Sequence, residues 1–528
     1  MLPRRRVLGF RADRGRAGVP LRTGAVLALL AAVTVGATSC TAAAGHQAGS
    51  AYHDPPARLA ARTRMPAFAT SVLTGTPDVV AEGVAESLFA SAPVVVVASP
   101  SRQAADAAAR QALRAHAPLL LTAADSPSDA AAVVSATLRA QIRTLDPQVV
   151  LAVGVAANVL TAQLPGVRVV TNPATLPATN PPASVGHVAV LVRAGDTDAL
   201  TLATTATARV AGAEVIAVHG NDPRADPTAI AALSASRPQR VLAIGSGFGP
   251  AAKLSSRIAV AETGVQLPGG GQVLFPSHLL VALYGHPGTP SLGVLGQQDL
   301  PASMARARTV ASQYRPLTSA RIVPAFEIIA TVAQGSPGLN GEYSYETPVA
   351  LLRPWVRQAT ADGFYVVLDL QPGRASLLAQ AKHYQSLLKL PDVGLALDPE
   401  WKLAPGQLPL QQIGSVSSTE VNSVISWLAA LTARYRLPQK LLVLHQFRVS
   451  MIRDESKIDT RYDNLAILIH MDGQGTPADK QQTWDAITQV APRRVFFGWK
   501  DFYVKDHPML GPQQTIDRTP RLSMISYQ

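Results

Sequence analysis

Apolar positions along the chain fall into two textures. Pro93-Val-Val-Val-Val-Ala-Ser99 is a continuous apolar run, as expected of a strand covered on both faces, and an Ala-rich helical stretch from Arg102 to His116 and the run Pro118-Leu-Leu-Leu-Thr122 follow it. A further helical stretch ends near Leu145, and Pro147-Gln-Val-Val-Leu-Ala-Val-Gly154 is the next strand. Strand, helix, strand in this order predicts a parallel sheet built from right-handed crossovers. The unit recurs, because Asp146-Pro-Gln-Val-Val-Leu-Ala-Val-Gly154 aligns without a gap on Arg237-Pro-Gln-Arg-Val-Leu-Ala-Ile-Gly245 at an offset of 91. Two Rossmann-like half-domains over residues 65–265 follow from that repeat.

Pro268-Gly-Gly-Gly271 interrupts the pattern and is expected to be a flexible domain boundary. Beyond it, from residue 272 to 528, eight short apolar strands alternate with amphipathic helices: His278–Tyr284, Arg321–Glu327, Phe364–Asp369, Val393–Asp398, Leu441–Gln446, Leu465–His470, Val495–Trp499 and Leu522–Tyr527. That count and length predict a (β/α)8 TIM-type barrel, so the fold class is α/β with a parallel two-repeat domain ahead of a barrel.

The N-terminus has a different grammar. Seven arginines against the single Asp13 carry half of the formal net charge of +12 within residues 1–39, and the uncharged stretch Gly24–Val35 is too short to span a bilayer. Small residues Ala37-Thr38-Ser39 then precede Cys40, the only cysteine in the chain. This arrangement resembles a bacterial lipoprotein signal over residues 1–40, and Arg4-Arg5-Arg6-Val7-Leu8 also fits a twin-arginine export signal loosely. The resemblance implies lipidation of Cys40, an extracytoplasmic protein held at the membrane, and a tether over residues 41–64. With the arginine block set aside, no basic run with interleaved aromatics remains, and nucleic acid is not an expected partner.

The order of Val-rich strand, Ala-rich helix, Ala117-Pro-Leu-Leu-Leu-Thr122, helix and Leu145-Asp-Pro-Gln-Val-Val-Leu-Ala-Val-Gly154 is similar to the cell-wall-binding repeat type 2 of Gram-positive surface proteins. That resemblance spans roughly residues 78–250 and implies non-covalent attachment to an anionic wall polymer. No organic cofactor is called for: Gly245-Ser-Gly-Phe-Gly249 follows a strand but lacks the dinucleotide-binding spacing.

Chemistry in a barrel of this kind sits at the C-terminal strand ends. Those ends collect Tyr284 and His286, Glu327, Asp369 and Gln371, Asp398, Glu400 and Trp401, His445 and Gln446, His470 and Asp472, Trp499 and Lys500, and Tyr527. One aspartate at a strand end is usually a helix cap, but polar groups at nearly every end of otherwise Val/Leu/Ile strands point to a site. Val393-Gly-Leu-Ala-Leu-Asp-Pro-Glu-Trp401 ends in an Asp-x-Glu that resembles chitinase-like glycoside hydrolases, although Val393 and Ala396 stand where that family places further aspartates. The resemblance implies Glu400 as general acid with Asp398 in support. Asp472 or Glu327 is the expected second carboxylate, and the remaining residues position a polysaccharide. Two other readings use the same side chains. One is a non-catalytic module that binds wall polymer or polysaccharide. In the other, Glu327, Asp369, Asp398, Glu400, His445, His470 and Asp472 hold a divalent metal, although no tight ligand spacing such as His-x-x-x-His is present.

Overall fold

The structure, a computed structural model, describes residues 58–123 and 134–528. Cys40, the signal and most of the expected tether lie outside the described residues. From Leu59 onward the chain is already built into the body: Leu59–Ala60 pairs with Thr179–Asn180, and Arg62–Thr63 pairs with Phe89–Ser91. Arg58–Gln528 forms one compact unit, and no described helix is long and apolar enough to cross a membrane.

The repeat is real in three dimensions. One four-stranded parallel sheet has the spatial order Leu119–Leu121, Val94–Ala98, Val149–Val153, Arg168–Val170. The other has Glu214–Val218, Val188–Arg193, Arg240–Ile244 and, in the fourth place, Thr70–Leu73 from before the first repeat. Asp146 and Arg237, 91 positions apart, both end a helix in the left-handed conformation with φ of 48° and 42° and lead through a proline into equivalent strands. The matching helices Arg102–Arg114 and Ala199–Val210 pack against each other. Their contact faces are mostly alanine, including the buried Ala105, Ala108, Ala203 and Ala206, which lets the two backbones approach closely.

The second half is a closed barrel of eight parallel strands: β1 (His278–Gly285), β2 (Arg321–Ala333), β3 (Tyr365–Leu370), β4 (Val393–Leu397), β5 (Lys440–Gln446), β6 (Leu465–Met471), β7 (Phe496–Asp501) and β8 (Leu522–Tyr527). Each strand pairs with the next, and β1 pairs with both β2 and β8 to close the ring. All eight strands expected from the sequence are present, with ends shifted by a few residues at most, β2 excepted, which runs on to Ala333.

Strand alternation sorts the barrel residues into two cores. Leu280, Ala282, Val323, Ala325, Val367, Ala396, Leu441, Val443, Ala466, Leu468 and Met524 fill the lumen. Their neighbours Leu283, Phe326, Leu368, Leu397, Leu444, Ile469 and Ile525 pack outward under the helices. Gly394 is required where it is, since a Cβ there would lie 2.8 Å from the Leu441 carbonyl and 3.1 Å from the Tyr365 ring that occupies the lumen.

Pro268–Gly271 is not the flexible break that its composition predicts. Leu267, Leu274 and Phe275, on either side of this segment, join the lumen core and plug the N-terminal end of the barrel. The Gln272 side-chain amide donates to the carbonyls of Val260 and Val265 at 3.0 and 2.8 Å, and the Gln272 carbonyl accepts from the backbone N–H of Gln439. Glycine serves here for backbone shape, with Gly269, Gly270 and Gly271 all at φ between 79° and 89°. Arg224, buried, pairs with Asp222 at 2.8 Å and with Asp463 just before β6 at 3.1 Å, and Arg257 reaches the same two carboxylates. The repeat region is thereby tied to the plugged end of the barrel.

Candidate active site at the barrel mouth

The lumen rows that are apolar below turn polar at the C-terminal end on every strand. Continuing each inward-facing row by two residues gives Tyr284, Glu327, Asp369, Asp398, His445, His470, Lys500 and Ser526, all of them buried. A ring of eight side chains with hydrogen-bonding or ionisable groups, desolvated together, persists only if the members satisfy one another.

They do so in part, through a connected network that leaves Glu327 Oε2, Asp369 Oδ1, Asp398 Oδ1 and His470 Nδ1 without a hydrogen-bond partner. The His445 ring lies between Glu327, whose Oε1 is 2.9 Å from Nε2, and Asp472, whose Oδ2 is 3.3 Å from Nδ1. Lys500 Nζ is 3.0 Å from Asp472 Oδ1 and sits 3.5 Å from the centre of the Tyr284 ring. The Tyr284 hydroxyl donates to Asp369 Oδ2 at 2.8 Å. His470 stacks on His445 with ring centres 5.2 Å apart, and its Nε2 meets the Ser526 hydroxyl at 2.9 Å.

Charge in this ring is distributed by its neighbours. Burial, the largest influence, disfavours the His445 imidazolium, but Glu327 and Asp472 together outweigh it and hold the group protonated well above the usual histidine range. Burial favours neutral carboxyls, yet His445 keeps Glu327 below its ordinary range, and Lys500 with His445 does the same for Asp472. Lys500 stays charged because Asp472 and Glu327 outweigh the cost of its burial. His470, with burial dominant, is pushed down to about 3 and is neutral. Two cations therefore balance two carboxylates. The other three acids go the opposite way: burial raises Asp369, burial plus Glu400 and Asp369 raise Asp398 well above its usual value, and burial plus Asp472 push Glu400 up to about 7.

A cavity of about 480 Å³ opens over the ring and is lined only by barrel residues, among them Tyr284, Gln371, Asp398, Glu400, Trp401, Asp472 and Lys500. A second hollow of about 320 Å³ shares Glu400 and Trp401 and continues along Leu403 and Pro409–Ile413. Trp401 Nε1 and Asp398 Oδ1 carry no protein hydrogen-bond partner. Asp398 and Glu400 reach the cavity without lying on a strand: β4 ends at Leu397, and Pro399 starts a single turn over Pro399–Trp401 with Asp398 at its head.

Of the residues expected from the sequence, Tyr284, Glu327, Asp369, Gln371, Asp398, Glu400, Trp401, His445, His470, Asp472 and Lys500 gather at the mouth, with Glu327, Asp369, His445 and His470 beneath it and outside the cavity lining. Trp499, Gln446 and Tyr527 do not, because each has the outward parity of its strand. The Trp499 indole donates to Asp501 at 2.8 Å within the helix-facing core, the Gln446 amide donates to Glu455 at 2.8 Å, and the Tyr527 hydroxyl bonds that of Tyr314. His286 is held between the hydroxyls of Thr289 and Thr347 beside the loop after β1, away from the cavity lining. Residues that strand-end reasoning passed over include Ser526, which has the inward parity of its strand, and Arg448, Gln474 and Lys505, which come from loops whose course no local pattern gives. Trp499→Phe is accordingly expected to leave ligand affinity unchanged while lowering stability by about 1–2 kcal/mol, since an indole bond and some packing are lost. Ligand titration together with chemical denaturation checks this, and a weakened affinity with unchanged stability would place the ring in the mouth after all.

Among the described residues no group of three or more His, Cys, Asp or Glu side chains is arranged to hold a metal ion. No family model matches the sequence, and no curated protein matches it. Among solved structures, Cwp6 from Clostridium difficile is a neighbour at 14% identity, over 62% of this chain and 63% of that one, with a TM-score of 0.18.

Proposed function

We propose that the barrel is a glycoside hydrolase acting on polysaccharide of the cell envelope, held outside the cytoplasm by lipid on Cys40, with the repeat region attaching to wall polymer. The observation that carries the hydrolase reading is a pair of carboxyl groups lining one cavity whose proton affinities are driven apart: Glu400 up to about 7, Asp472 below its usual range. Separation of that kind supplies an acid and a base at one pH. Glu400 protonates the glycosidic oxygen as the bond to the leaving sugar breaks. Asp472, kept anionic by Lys500 and His445, stabilises the positive charge developing on the ring and acts as nucleophile or activates water. Water supplies the hydroxyl of the new reducing end, its proton returning to Glu400 where Asp472 is the nucleophile and passing to Asp472 where Asp472 activates the water.

Asp398 supports this role as a neutral neighbour, while Glu327 is committed to His445 beneath the cavity. Asp472 is thus the better second carboxylate. The shared wall at Glu400 and Trp401 makes a groove that passes the acid on both sides, which suits a polymer, and Trp401 on that wall is suited to stack on a sugar. Digestion of purified cell-wall polysaccharide, followed by assay of new reducing ends, tests the reading. Wild type is expected to release them and Asp472→Asn to release at most about a hundredth as much. Equal release from both, or none from wild type, leaves a binding module in its place.

A further inference from the structure

The acid–base groups are not the only charges on this cavity. Arg448, two residues after β5, and Lys505, four residues after β7, also line it. They flank the loop after β6 that carries Asp472. Unlike Lys500, which is taken up by Asp472, neither has a carboxylate within ion-pair distance among the described residues. Arg448 lies 6.0 Å from the centre of the Phe447 ring and Lys505 lies 5.8 Å from that of Phe502, and both heads are exposed. Most exposed arginines and lysines among the described residues also lack an acidic partner, Arg110, Arg308 and Lys457 being among the exceptions, so what sets Arg448 and Lys505 apart is their place on the cavity.

An unpaired cation on each side of a groove serves a ligand that brings the negative charge itself. Desolvation of such a ligand over buried acids is unfavourable unless rim cations compensate, and those cations also raise the rate of encounter. Phe447 and the buried Phe502 line the same cavity beside these two cationic heads.

We propose, on the basis of the hydrolase reading, that the glycan bound at this mouth is acidic, carrying a carboxylate or phosphate on the sugars next to the cleaved bond, and that Arg448 and Lys505 select it. The full chain carrying Glu400→Gln, so that nothing is consumed, is titrated at low salt with three probes. They are acidic polysaccharide extracted from bacterial cell wall, the same material after carboxyl reduction, and the same material after removal of phosphate. One treatment is expected to weaken binding about tenfold and thereby names the charged group. Adding Arg448→Gln and Lys505→Gln is expected to weaken binding of the untreated probe about three- to tenfold and to erase the difference between probes, as is raising the salt to about 0.5 M. Equal binding of all three probes, a preference that survives in the triple variant, or binding of none overturns the proposal. Hydrolysis by wild type is scored separately: cleavage of a neutral glycan removes the acidic-substrate inference and leaves the hydrolase, whereas charge-selective binding without cleavage does the reverse.

Discussion

Glu400→Gln is expected to lower kcat/KM on cell-wall polysaccharide by about 10²- to 10⁴-fold, because the glutamine keeps the shape and hydrogen-bonding reach of the side chain and removes only its proton. Its pH signature is the sharper test. A general acid works while protonated, so with Glu400 pushed up to about 7, wild-type activity holds below that pH and falls as pH rises through it. In the variant the residual rate loses that alkaline limb. The same shift has a stability consequence of fixed sign. A carboxyl whose folded pKa is raised contributes most below its unfolded value of 4.5, and that contribution is lost as pH rises toward 7. Glu400→Gln removes the loss, so its denaturation midpoint should decline less than that of wild type between pH 5 and 8. An alkaline limb that persists unchanged in Glu400→Gln assigns the acid to another group.

How far the sequence reached is visible strand by strand. The barrel strands were legible because each is short, apolar and bounded by turn residues, and the apolar runs leave little choice of type. The mouth was legible as a set of strand ends but not as a list of residues. Both parities of each strand were gathered, whereas only one faces the lumen. On β7 the row Phe496, Gly498, Lys500 leads inward and Phe497, Trp499, Asp501 leads outward. Choosing the row by its smaller members below the mouth separates Lys500 from Trp499 and His445 from Gln446, but not Ser526 from Tyr527, because Met524 on the inward row is no smaller than Ser523 and Ile525 on the outward one. The Asp398–Glu400 pair reaches the cavity because β4 ends at Leu397 and a turn from Pro399 to Trp401 carries both acids there. At the other end, three consecutive glycines look like slack in a sequence. In the fold they let the chain turn tightly so that Leu267, Leu274 and Phe275 can enter the lumen, and burial of side chains far along the chain is what orders them. Arg448 and Lys505 illustrate the remaining limit, because loop residues converge through the barrel geometry and not through spacing.

Removing the central cation of the buried network should cost more than any other single polar change in the barrel. His445→Gln leaves Glu327 and Asp472 without the imidazolium between them, and breaking a buried ion pair by deleting one partner typically costs about 3–5 kcal/mol. The pH dependence distinguishes this from ordinary packing loss. In wild type, the raised pKa of His445 gives a contribution that is complete below the unfolded value of 6.5 and is lost only as pH rises through the higher folded value. The lowered pKa values of Glu327 and Asp472 give contributions present above about 4.5 and lost as pH falls through the folded values. The network is therefore intact across neutral pH. In the variant, burial acts on Glu327 without His445 to oppose it, its pKa rises above the unfolded value, and the protein gains stability as pH falls and the carboxyl takes up a proton. The deficit relative to wild type should thus be several kcal/mol near pH 7.5 and clearly smaller near pH 4.5, as measured by denaturant unfolding at the two values. Asp472 retains Lys500 at 3.0 Å, so the change is felt mainly through Glu327, and Glu327→Gln added to His445→Gln should recover part of the loss at pH 7.5. A deficit that is equal at both pH values and indifferent to Glu327→Gln means that His445 holds the barrel by its shape and not by its charge.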